Sequence, residues 1–379
     1  MQKRPSSSRL IIGPSETTAD LLYATRFFVP DEMAWFTKGD KTFAILSPLE
    51  IDRAKRTAKI DHILSLSELE EETASLSHSK QKPSYLACII FALKKQKIRS
   101  VTVPSYFPIG YAQAFTDSGI KIKIESDSFF PEREIKSASE IRWITQAQRH
   151  AEAGMNKAIE ILKASQIDPH KYLNWQNQRL TSEILRGEID ATIIKRGGLP
   201  AHTIVACGRQ ACDPHEKGSG PLKANKTIII DIFPRDQKTG YFGDLTRTFV
   251  KGKLEPKISE LYHTVLKGQK LALDKMKAGI NGAELHQEIL SYFKNKGYPT
   301  EQRNGRWVGF FHGTGHSLGL EVHEPPRFAH GKFKTNQVLT VEPGLYYPHL
   351  GGVRIEDLVV VKSNGIKNLT EIPKFLHIK

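Results

Sequence analysis

The chain of 379 residues is 39% hydrophobic and 25% charged, with a formal charge of +14. That length excludes a small stapled scaffold and predicts two domains, and no apolar run approaches the roughly eighteen residues a membrane span needs. The first ten residues carry serines where a secretory leader needs an apolar core, predicting a soluble, cytoplasmic protein, and the excess positive charge, which falls after residue 139 without a long basic run, argues against nucleic acid or membrane as a partner.

In chain order, short apolar runs at 42–46, 98–103 and 120–124 alternate with helical segments such as 85–97, the pattern of a small α/β domain. Composition changes across 127–139. There Ser137 and Glu140 have the spacing of a capping box, in which hydroxyl and carboxylate each satisfy a free amide at a helix start. The boundary is predicted at that point, with residues 1–136 forming an N-terminal domain and 137–379 a larger second one. Helical periodicity covers 137–165, 172–186, 256–277 and 283–296, with Gly279 and Gly297 as stop signals after the last two. Strand-like runs occupy 227–233, 241–250, 337–346 and 352–361. Helices mixed with antiparallel hairpins predict an α+β domain rather than a doubly wound sheet. Cys88, Cys207 and Cys212 cannot close a disulfide set and lack the partners of a structural zinc site, which predicts free thiols in a reducing compartment.

Two of the hairpins place carboxylates within apolar strands. Asp231 follows Ile228-Ile229-Ile230, and pairing it with Asp244 centres the intervening turn between Gln237 and Lys238. Pairing Glu342 with Glu356 centres a second turn at His349, within Pro348-His349-Leu350-Gly351-Gly352. Directly opposed residues on antiparallel strands have Cβ atoms about 5 Å apart. Like charges so close, in strands this apolar, force protonation unless a cation neutralises them. A lone strand carboxylate is ordinarily a solvated edge residue. Four in two turn-centred pairs predict a dinuclear metal centre, with ions about 3.5–4 Å apart.

Between the hairpins, His312, His316 and His323 are threaded among glycines, so three imidazoles can reach one cleft. The zincin motif is excluded, because His323-Glu324-Pro325-Pro326 is followed by Arg327. Gly315-His316-Ser317-Leu318-Gly319 matches the nucleophile elbow of serine hydrolases, with Asp357 and His377 downstream as acid and histidine. Only 308–311 supplies a strand before it, however, and Pro325 and Pro326 forbid a helix continuing beyond. The four strand carboxylates are also left without a role, so a serine hydrolase using Ser317 is the minor reading.

Together, Asp231, Asp244-Leu-Thr-Arg-Thr, His312-Gly-Thr-Gly-His316, His323-Glu324, Thr340-Val-Glu342-Pro-Gly and Val353-Arg-Ile-Glu356-Asp resemble the pita-bread metallopeptidases over residues 137–365. That family includes creatinase, methionine aminopeptidase, aminopeptidase P and prolidase. The resemblance implies that Asp231, Asp244, His316, Glu342 and Glu356 hold two divalent ions, with Asp244 and Glu356 bridging. It implies further that His215 contacts substrate near the scissile bond, that His323 stabilises the tetrahedral intermediate, and that His312 lines the pocket. Arg354 would support the carboxylates and Glu342 would pass a proton onward. His202 has no counterpart. Oxygen-rich ligation with one imidazole favours manganese (Mn2+), with Co2+, Zn2+ or Fe2+ as other candidates.

Residues 1–136 have the size of the creatinase-like N-terminal domain that aminopeptidase P and prolidase carry and methionine aminopeptidases generally lack. The implied activity is that of an Xaa-Pro aminopeptidase acting on peptides with proline at the second position, assembled as a homodimer. Xaa-Pro dipeptidase (prolidase) is the close alternative. Some pita-bread proteins have lost metal ligands and serve as non-catalytic binding modules, and the five intact positions argue against that class here.

Overall fold

The computed structural model describes residues 8–77 and 81–379, and it divides into two compact units, Met1–Pro131 and Glu132–Lys379. In the first unit, strands Ser8–Gly13, Met33–Lys38 and Lys41–Leu46 alternate residues between two packed faces and pair antiparallel. His62–Ser65 adds to one edge in parallel, and Ser100–Pro104 and Lys121–Glu125 add to the other, giving a mixed six-stranded sheet. Helix Tyr85–Lys95 starts at Ser84, whose hydroxyl accepts from Ala87 N, and buries Cys88, Ile89, Ala92 and Leu93 on one stripe. This is the expected small α/β domain. Strand Ser8–Gly13, which joins the two halves of the sheet, escapes a reading of the sequence because its apolar stretch is short.

In the second unit the long helix Ala138–Ala164 opens with the expected capping box: Ser137 N donates to Glu140 Oε2 at 2.9 Å and Glu140 N to Ser137 Oγ at 3.3 Å. With Ser182–Lys195 it covers a sheet ordered Ile204–Cys207, Ile228–Ile232, Leu245–Lys251 and His377–Ile378. Helices Pro256–Lys275 and Gly282–Asn295 cover a second sheet, ordered Glu324–Arg327, His316–Ser317, Val338–Val341, Asp357–Lys362 and Gly365–Asn368. Helices and largely antiparallel sheets form separate layers, as an α+β domain requires.

Two expectations change. Residues 132–136 group with the second unit rather than the first, because the Arg133 and Lys136 side chains are bonded to Glu324. The predicted helix at 172–186 is instead a small ribbon, Leu173–Trp175 against Gln178–Arg179, followed by helix Ser182–Lys195 capped by Thr181. Gln176 and Asn177 both take left-handed φ values, 51° and 60°, the geometry of a two-residue hairpin turn that asparagine tolerates. All three cysteines are free thiols. Among the described residues no helix is long and apolar enough to cross a membrane.

Candidate active site

Asp231 lies in Ile228–Ile232, and its partner on the neighbouring strand is Thr246 rather than the expected Asp244. The turn accounts for the difference. Asp236 Oδ1 accepts from the amide and hydroxyl of Thr239 at 2.8 and 2.7 Å, Gly240 has a φ of 79°, and Arg235 bridges Phe242. The reversal is thus centred slightly later than expected. Asp244 sits at the entrance to Leu245–Lys251, gripped by the long helix: its N–H donates to Gln148 Oε1 at 2.8 Å and its carbonyl accepts from Gln148 Nε2 at 2.9 Å. Gly243 permits this approach, because a Cβ there would lie 2.6 Å from the Ala147 and Gln148 backbone.

In the second hairpin, Val341 pairs with Asp357 and, past an interruption, Gly344 pairs with Arg354. This shared register faces Glu342 with Glu356, as the spacing predicts. His316 comes from a third element. Its N–H donates to Thr340 Oγ1 at 3.0 Å, and any side chain on Gly315 would run into the Thr340 carbonyl.

These elements bring Asp244, His316 and Glu356 together, all buried, with one donor atom of each within 4.8 Å of the others. His316 Nε2 lies 3.2 Å from Glu342 Oε1 and 3.7 Å from Asp244 Oδ2. Asp231 faces Arg354, which donates through Nη2 to Oδ2 at 2.7 Å, while Asp231 Oδ1 is buried with no hydrogen-bond partner. Thr246 Oγ1 donates to Glu356 Oε2 at 2.8 Å, and Thr340 Oγ1 to Glu342 Oε1 at 3.0 Å. Arg247, wholly buried, pairs with Asp357 at 2.9 Å and also donates to the Glu356 carbonyl, tying the strand after Asp244 to the backbone at Glu356.

The electrostatics express crowding. Burial, followed by the neighbouring carboxylates, drives the Asp244 and Glu356 carboxyls well above the ordinary range. Burial also raises Asp231 despite Arg354. Burial opposes ionisation of Glu342, yet the His316 hydrogen bond and charge hold it down to about 2. Burial likewise works against His316, and Glu342 and Asp244 outweigh it, lifting the imidazole to about 9. Four carboxylates and one imidazole, three of them already convergent and one with an orphaned oxygen, are the donor set a hard or borderline divalent cation fits.

The remaining histidines ring this cluster. His312 Nε2 is 2.8 Å from the Tyr346 hydroxyl, which accepts from Arg354 Nη1 at 3.1 Å. The His323 ring meets His316 edge-on, with centroids 4.3 Å apart. Burial is the main reason that both His312 and His323 are held down to about 4; His316 adds to it for His323, and the charge of exposed His215 contributes to both. His202 is exposed with a left-handed φ of 55°. The serine constellation is not assembled: Asp357 is paired with Arg247 and Lys374, and His377 Nε2 lies 2.7 Å from the Gly252 carbonyl.

Tyr346 and Gln148 are absent from the residues picked out by sequence. Tyr346 leaves no signal there. Gln148 leaves one: it is a polar residue on the helix face that also buries Ile144, Ala147 and Ala151, where only a hydrogen-bonded side chain is tolerated.

Residues 142–363 match the model of metallopeptidase family M24. The Xaa-Pro dipeptidase of Pyrococcus horikoshii is 31% identical over 325 residues, covering 83% of this chain and 85% of its own. Among solved structures, the prolidase from Pyrococcus horikoshii aligns with a TM-score of 0.77 at 26% identity, covering 98% of this chain and 95% of that one. The X-Pro aminopeptidase from Thermotoga maritima aligns with a TM-score of 0.81 at 23% identity over 98% and 97%, a likeness of fold. Fold and site together define a pita-bread metal-dependent hydrolase, its second domain preceded by a creatinase-like α/β domain. The chain belongs to metallopeptidase family M24. That family implies divalent metal ions as the cofactor.

Proposed function

We propose that this metallopeptidase is an Xaa-Pro dipeptidase that hydrolyses dipeptides with proline at the second position. The convergence of Asp244, His316 and Glu356 within 4.8 Å carries the peptidase reading. The choice of a dipeptidase over the aminopeptidase expected from the sequence is supported by the Pyrococcus horikoshii relative, which spans most of both chains. Asp231, Asp244, His316, Glu342 and Glu356 are the proposed holders of two divalent ions, and the oxygen-rich set favours manganese.

Ions bound there would supply Lewis acidity toward a peptide carbonyl and lower the pKa of a nearby water. The chain's own residues do the rest. Glu342, held ionised beside His316, takes a proton at its carboxylate from the water that attacks the scissile carbonyl carbon and passes it to the leaving amine as the C–N bond breaks. His323 donates a hydrogen bond to the oxyanion that develops at the scissile carbonyl. His312, oriented by Tyr346, lines the pocket, and His215 contacts substrate from the exposed side. Arg354 orients Asp231 and Tyr346 through separate nitrogens.

Turnover of an Xaa-Pro dipeptide compared with the same sequence extended beyond proline tests the proposal. Cleavage confined to the dipeptide supports it. Equal or faster cleavage of the longer peptide establishes an aminopeptidase instead, and turnover of neither overturns both.

A further inference from the structure

Just upstream of the long helix, Lys136 and Arg133 turn inward and meet Glu324, the residue after His323. Lys136 is 1% exposed and Glu324 4%. Lys136 Nζ donates to Glu324 Oε1 and to the Arg133 carbonyl, while Arg133 Nη2 reaches Glu324 Oε2 at 2.5 Å and Glu321 Oε2 at 2.7 Å. Charges so deeply buried are costly even when paired, and apolar side chains of similar size could fill the same space. None of these four residues belongs to the proposed metal set, so the cluster needs a reason of its own.

Its position supplies one. The His323 side chain is partly exposed, makes no hydrogen bond among the described residues, and meets the His316 ring edge-on. The ring therefore stands wherever its backbone puts it, and that backbone is anchored one residue later by Glu324. Gly319 leaves the room this needs, because a Cβ there would overlap the Glu324 carboxylate. The Gly319 carbonyl in turn accepts from Phe242 N at 2.8 Å, in the loop joining Asp231 to Asp244. The anchored segment and the first carboxylate hairpin are thus fastened to each other.

We propose that the buried Lys136–Glu324 ion pair, reinforced by Arg133, is the positioning device for His323, acting on turnover through the placement of that ring and not through substrate or metal binding. The inference rests on the proposed role of His323. A group displaced by about 1 Å can cost a hundredfold in rate. Lys136→Met removes one arm of the clamp while Arg133 still neutralises Glu324. Glu324→Gln keeps the shape without the charge.

The test is a double-mutant cycle on dipeptide hydrolysis, combining Lys136→Met, and separately Glu324→Gln, with His323→Ala. Lys136→Met is expected to lower kcat about ten- to a hundredfold with KM within about twofold, Lys136→Arg to restore most of it, and neither clamp variant to cost more once His323 is gone. In the metal-free protein, the nuclear Overhauser contact between the His316 and His323 rings should be lost in Lys136→Met and Glu324→Gln. Should Lys136→Met fail to fold, Glu324→Gln completes the same cycle. Undiminished losses in the His323→Ala background, or an unchanged ring contact, overturn the proposal. Near-normal turnover by His323→Ala alone refutes the role given to His323, while the ring contact still reports on the clamp.

Discussion

Arg354 donates to one oxygen of Asp231 at 2.7 Å and leaves the other buried and unpaired, so a single guanidinium fixes which face of that carboxylate is turned toward the cluster. The same guanidinium reaches the Tyr346 hydroxyl and Thr246 Oγ1. Arg354→Met strands a buried carboxylate, a change worth about 3–5 kcal/mol. Urea denaturation of metal-free protein should show a loss of that order. Arg354→Lys keeps the charge but not the fork and should lose less; equal losses would mean that the fork is irrelevant.

Gln148 is the only side chain bonded to both backbone groups of Asp244 among the described residues. Gln148→Leu leaves a buried N–H and a buried C=O unsatisfied, at about 1–3 kcal/mol each. A fall in melting temperature together with at least a tenfold drop in peptidase activity is expected, and Gly243→Ala should act in the same direction by pushing Asp244 off the helix. Full activity in both variants would show that Asp244 needs no such support.

His323 and Ser317 separate the two chemistries weighed from the sequence. His323→Ala should lower kcat by about 10²–10³, the usual cost of one oxyanion donor. Ser317→Ala, at a buried hydroxyl with no hydrogen bond, should leave turnover within about twofold. The reverse pattern would restore the serine nucleophile.

Asp236 sets a pH dependence away from the cluster. Burial opposes its ionisation, but His150 Nε2 at 3.0 Å and the Thr239 bonds hold its carboxyl below the ordinary range. A lowered folded-state pKa contributes stability that is present above the unfolded value of about 3.9 and lost as pH falls through the lower folded value. The stability gap between wild type and Asp236→Asn should be constant from neutrality to about pH 5 and shrink below about pH 4. A gap that widened on acidification would reverse the sign assigned here.

What the sequence could reveal follows from periodicity and charge. The helix beginning after Ser137 announces itself by a local capping box, and the facing of Glu342 with Glu356 by a turn midpoint that the structure keeps. Asp231 and Asp244 show the limit: their register depends on Asp236 bonding Thr239, a turn choice that spacing does not encode. The helix expected at 172–186 fails for a similar reason, since two consecutive left-handed residues made a ribbon where apolar spacing looked helical. Tyr346 and Lys136 act through partners far along the chain, so no local pattern marks them, whereas Gln148 is marked only as a polar residue on a buried helix face.

The most direct measurement is the number of divalent ions bound per chain after chelation and manganese titration, with dipeptide hydrolysis followed in parallel for the wild type and Glu356→Ala. Two ions per chain, activity returning as they bind, and loss of both ions and activity in Glu356→Ala are expected. Hydrolysis that persists at full rate in chelator, or a Glu356→Ala variant that binds two ions as the wild type does, would contradict a metal centre built on these carboxylates.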